Sequence, residues 1–146
     1  MRRAIARWRA LTGQQRTWLL LLLVALPATG ALVRFFGFQR AAKICVGFGG
    51  KAPLRPCSNQ DIADAQSFAN LAAIAGRHGP VSATCLRQAL VVRAWLRRRG
   101  FDAQLKIGVK KNGVALDAHA WVELEGVALA QPNLSHPPFK AHDLGA

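Results

Sequence analysis

The chain has 146 residues, enough for one domain built around a single modest core. It carries 20 Lys and Arg against 7 Asp and Glu, a formal net charge of +13, and no acidic residue precedes Asp61. Tyr is absent and no nucleic-acid partner is expected, and three cysteines without a CxxC pair beside four histidines without HxxxH spacing argue against a metal site.

The charge asymmetry lies in the first segment, where Arg2, Arg3, Arg7, Arg9, Arg16, Arg34, Arg40, Lys43, Lys51 and Arg55 have no acidic counterpart. Within it "WLLLLLVALPATGALV", Trp18 to Val33, is the strongest apolar run. Behind an arginine-rich start it mimics a signal peptide or a short span. Its uninterrupted part stops at Leu26 before Pro27, Gly30 interrupts the remainder, and the run falls short of the roughly 20 residues a bilayer helix needs. Positive charge flanks both sides, so the asymmetry that orients a span is weak. The expectation is an uncleaved helix packed on the rest of the protein, on a partner or on a membrane surface. An odd cysteine count argues against a disulfide framework, and Cys45 with Cys57 would pair only in an exported chain. A reduced, cytoplasmic protein with room for membrane-surface contact is the consistent picture.

Next, "GFGGKAPLRPCSN" reads as a linker, and "NQDIADAQSFANLAAIAGRHG" as a helix with Ile62, Ala65, Phe68 or Ala69, Ala72 and Ala75 on its apolar face. Ser58 or Asn59 would cap its start, and Gly76 or Gly79 would stop it. "VSATCLRQALVVRAWLRRRG" predicts a second helix from about Thr84 to Arg99, capped by Ser82 or Thr84 and ended by Gly100. Cys85 then lies in its first turn, on the face of Ala89, Val92 and Leu96, with Arg87, Arg97 and Arg98 reaching water. Exposed N–H groups and the dipole at a helix start favour thiolate over thiol, which is how nucleophilic cysteines are activated. An inert, packed thiol is the competing reading.

Ala103, Leu105, Ile107 and Val109 alternate with Gln104, Lys106 and Gly108, a strand closed by the turn signal Asn112-Gly113. "DAHAWVELEG" is the returning strand, with Asp117, His119, Trp121 and Glu123 on one face and Ala118, Ala120, Val122 and Leu124 on the core face. A third strand, "GVALAQPN", comes after it. A lone histidine on a mixed face is ordinarily structural. A thiol at a helix start packed on an antiparallel sheet that carries a histidine is a different matter, because two independently placed groups then point to one chemistry.

At this point "CLRQALVVRAWLRRRGFDAQLKIGV" and "DAHAWVELEG" resemble the transglutaminase-like superfamily, and within it the stand-alone leader peptidases of lasso-peptide biosynthesis, over about Ser82 to Gln131. The resemblance implies an α+β fold of transglutaminase-like or papain-like type, with Cys85 as nucleophile and His119 as base. It further implies two parts, a basic, apolar N-terminal helical arm over 1–50 and a catalytic core over 51–146. In such pathways a separate leader-recognition protein delivers the precursor peptide, the peptidase removes the leader, and an ATP-dependent cyclase closes the ring. This chain has no glycine-rich nucleotide loop, so neither ATP use nor another cofactor is expected of it.

Where the family normally places an acidic residue to hold the histidine, this sequence departs. A three-residue loop Leu124-Glu125-Gly126 pairs residues whose numbers sum to 250 and sets His119 opposite Gln131. A two-residue Glu125-Gly126 loop would instead oppose it to Pro132. The first register is expected, with Gln131 orienting the ring and Asp117 as the substitute. Two alternatives stay open: acyl transfer to an amine at the same site, and a basic membrane-associated adaptor in which Cys85 and His119 merely pack.

Overall fold

The computed structural model describes residues 9–48, 52–79, 83–112 and 115–131. Three helices, α1 (Gly13–Phe48), α2 (Asn59–His78) and α3 (Cys85–Arg98), precede an antiparallel sheet of β1 (Gln104–Asn112), β2 (Ala115–Leu124) and β3 (Val127–Ala128) in that order. The arrangement is the α+β architecture expected.

α3 is central, packing on α1, α2, β1 and β2. Ala89, Leu90, Val91, Val92 and Leu96 are buried along it, the wide apolar arc its sequence spells out. Its core neighbours are Phe68 of α2, Val122 and Leu124 of β2, and Trp18, Leu22 and Leu26 of α1. An aromatic triplet welds the helices together. Phe68 stacks on Trp95 at 4.1 Å, and Trp18 stands edge-on to both at 5.7 and 5.3 Å. Of the surfaces open to the apolar run, its first half thus takes the protein's own core.

The interruptions expected in α1 are displaced. Helix continues through Pro27 and Gly30 and breaks at Gly37, whose φ of 75° and ψ of 166° lie where only glycine sits without strain. Packing of Leu22, Leu26 and Thr29 holds the helix across the proline's missing N–H. Gly30 serves a different purpose: a Cβ there would lie 3.1 Å from the Arg87 guanidinium, so the glycine makes room for that side chain, which is half-buried against α1 and does not simply reach water.

α2 begins with a full capping box, Ser58 Oγ accepting from the Asp61 N–H and Asp61 accepting from the Ser58 N–H. The segment before it, read as a linker, is strapped down by Arg55. The Arg55 N–H donates to the Gly100 carbonyl at 2.8 Å, Nε donates to the Arg99 carbonyl, the guanidinium pairs with Asp61, and it lies over the Phe101 ring at 4.2 Å.

β1 and β2 pair from Gln104↔Glu123 to Asn112↔Ala115, as the alternation requires. The next hairpin departs from expectation. Glu123 pairs with Ala128 and Leu124 with Val127, which is the two-residue loop, because Glu125 and Gly126 both take positive φ (50° and 77°). That combination defines the tight turn whose twist matches the flanking strands. The ladder would carry Gln131 opposite Ala120, on the core face.

Candidate active site

Cys85 is the first residue of α3, its cap position held by Thr84. The helix starts there because the preceding loop is tied back. The Ala83 N–H donates to the Gly76 carbonyl at 2.9 Å, and the Gln88 side-chain amide donates to the Ala83 carbonyl at 2.8 Å. A side chain at Gly76 would collide with the Gln88 amide, so this glycine admits the tether. Thr84 makes no side-chain cap, and Ser82 lies outside the described residues. The first-turn N–H groups of α3, that of Cys85 included, have no helical carbonyl partner and can serve an anion.

His119 is carried by β2 opposite Gly108 of β1. Directly paired residues project to the same face, and glycine contributes no side chain at the position directly opposite the imidazole on β1. Along its own strand it meets Trp121 two residues on, with ring centroids 6.1 Å apart and nearly parallel. Trp121 is buried, its indole N–H donates to Glu123 Oε1 at 3.1 Å, and Lys106 pairs with Glu123 at 3.9 Å. These contacts fix the wall against which the imidazole lies.

Gln131 reaches His119 by a route the sequence did not suggest. After the Leu129 N–H bonds the Val122 carbonyl, Ala130 takes a left-handed φ of 55° and breaks the alternation of side chains. Gln131 is thereby turned from the core face to the histidine face, where its Oε1 lies 2.9 Å from His119 Nε2. An amide oxygen only accepts, so Nε2 carries the hydrogen, and in the neutral ring the basic lone pair belongs to Nδ1. Asp117 pairs in the backbone ladder with Lys110, and its side chain lies outside the described residues.

Cys85, His119 and Gln131 line one small open cleft between the start of α3 and the β2–β3 hairpin, together with Gln88 and Ala73. The first three are the residues singled out from the sequence. Gln88 was missed, although its place one turn after Cys85, on the same helical face, was a usable signal. The other thiols are elsewhere, and all three are free. Burial pushes the Cys45 thiol up, opposed by a hydrogen bond to Thr29, and burial with the nearby Glu125 and Asp61 carboxylates raises Cys57.

Comparison with curated proteins and with solved structures found no match. A family profile, described as Transglutaminase-like superfamily, matches residues 25–142, from within α1 past all three strands. With Cys85 at a helix start and the His119–Gln131 pair across one cleft, the chain belongs to the transglutaminase-like superfamily.

Proposed function

We propose that this protein is a cysteine peptidase that removes the leader from a ribosomal lasso-peptide precursor, with Cys85 as nucleophile, His119 as base and Gln131 as the group that orients the ring. The observation that carries the reading is the His119–Gln131 hydrogen bond in the cleft that Cys85 also lines. The superfamily accommodates cysteine peptidases and acyl transferases alike. The choice of precursor processing rests on the similarity of "CLRQALVVRAWLRRRG" and "AHAWVE" to the stand-alone leader peptidases.

In the reaction His119 Nδ1 takes the Cys85 thiol proton and the sulfur attacks the carbonyl that ends the leader. The oxyanion forms beside the Cys85 N–H at the start of α3. The carbonyl re-forms as the peptide bond breaks, and the imidazolium gives its proton to the departing amine, the first residue of the core peptide. Water, deprotonated by His119, then attacks the thioester. The leader leaves with a new carboxylate, and the Cys85 thiol is restored. By the same similarity, a separate recognition protein would present the substrate and a cyclase would receive the freed amine.

Incubation with a precursor peptide and its recognition protein, followed by mass spectrometry, tests the reading. Leader heavier by one water and a free core amine are expected from wild type, and uncut precursor from Cys85→Ser. Release by the Cys85→Ser variant would overturn the mechanism, and leader carrying an added amine would reassign the enzyme to acyl transfer.

A further inference from the structure

α1 is a helical hairpin. The Thr29 hydroxyl meets the Cys45 sulfur, yet in a straight helix residues 29 and 45 would stand about 24 Å apart. Gly37, midway between them, is the non-helical residue at which the chain doubles back, and Thr29, Ala41 and Cys45 are buried. The tip of the hairpin is "RFFGFQR", residues 34–40. Phe35 is 76% exposed and Phe36 51%, with Arg34, Gln39, Arg40 and Lys43 exposed around them.

The tip does not stand alone. Leu20, Val24, Ala28, Ala31 and Phe35, all exposed, recur at spacings of three and four and form one apolar strip along the helix. Val24 is 71% exposed. On the opposite side of the same helix Trp18, Leu22, Leu26 and Thr29 are buried. Burial within the fold therefore does not explain why the strip is apolar. A convex aromatic tip ringed by arginines, continuing into an apolar ridge, has the form of an element that sits in the boundary between lipid headgroups and acyl chains. The charge agrees. No acidic residue precedes Asp61, so nothing in this segment opposes approach to an anionic surface.

We propose that the α1 hairpin docks this protein on an anionic phospholipid surface, with Phe35, Phe36 and the Leu20–Val24 strip immersed and Arg34, Arg40 and Lys43 at the phosphates. The segment Gly13–Cys45 is long and apolar enough to cross a bilayer by length and composition. Packing sets it in the interface instead: a spanning helix would have to strip Trp18, Leu22 and Leu26 from the core.

Flotation of the full chain with vesicles of phosphatidylglycerol and phosphatidylcholine, against pure phosphatidylcholine, tests the proposal. Binding is expected to the anionic vesicles, to fall steeply in high salt, and to weaken about tenfold or more in Phe35→Ser/Phe36→Ser and in Arg34→Glu/Arg40→Glu. All four side chains are exposed, and an unchanged circular dichroism spectrum certifies the variants; Phe35→Trp/Phe36→Trp should bind at least as well as wild type. The proposal is overturned by failure to float, by equal binding to neutral vesicles, by variants that bind like wild type, or by resistance to alkaline extraction, which would mean a span. Lipid-free dimers that dissociate on Phe35→Ser would give the strip to a second copy of the chain instead.

Discussion

Gly108 stands directly across the β1–β2 ladder from His119, and the glycine is itself buried. A β-branched side chain at that position would suit the strand but project onto the face of the ring. If His119 is the base, Gly108→Val is expected to cut the proposed leader removal by about tenfold or more by displacing the ring, with circular dichroism reading whether the fold is kept. A variant that cleaves like wild type would show that the glycine opposite the imidazole has no part in catalysis.

The three thiols give a test that needs no substrate. Cys45 is buried and Cys57 is pushed up, both of which slow alkylation at neutral pH, whereas Cys85 opens to the cleft at a helix start. Iodoacetamide at pH 7 is expected to label Cys85 first, by peptide mapping, and at the same rate in Cys45→Ala/Cys57→Ala. Slower labelling of Cys85 than of Cys57 would leave Cys85 as a packed thiol.

Asp61 sets an acid limit on stability. The Arg55 guanidinium, then the Ser58 N–H and hydroxyl, hold its carboxyl well below the usual carboxylate range. A depressed folded value means stability that is present above the unfolded value, about 4, and lost as pH falls from there toward the folded value. Wild type is expected to melt above Asp61→Asn at pH 7, with the gap closing below about pH 4. Ser58→Ala should cost about 1 kcal/mol as a lost cap. A gap between wild type and Asp61→Asn that stays constant with pH would mean the carboxylate's charge is not what Arg55 holds.

Spacing made the main elements legible. The period of α3 and the alternation of β1 are local, and they placed Cys85 at a helix start and His119 on a paired strand, while Gly113 of the expected Asn112-Gly113 turn lies outside the described residues. What stayed hidden depends on backbone angles or tertiary neighbours. Gly126 has a left-handed φ in either candidate loop, so it could not choose between registers; Glu125 at 50° decided the matter, and glutamate carries no such signal. Gly30 read as an interruption because its partner, Arg87, is 57 residues away. Gly37 closes the α1 hairpin, yet nothing local separates it from the other glycines of the segment.

The His119–Gln131 bond depends on the left-handed Ala130 and not on a regular ladder. A glutamine fixes the ring tautomer but cannot offset the charge of the imidazolium. In the proposed mechanism Gln131 is a positioning residue. Gln131→Ala is expected to lower kcat by about ten- to a thousandfold with little change in KM, less than the loss of His119. Gln131→Glu keeps the reach and adds the charge, so it should retain or raise activity and move the pH profile of kcat/KM upward by favouring the protonated ring. Ala130→Gly should be tolerated, because glycine takes the same φ freely, whereas Ala130→Val should behave like Gln131→Ala by pulling the amide away. Wild-type turnover by Gln131→Ala, with Asp117→Ala crippled, would transfer the orienting role to Asp117 and leave Gln131 as a bystander in the cleft.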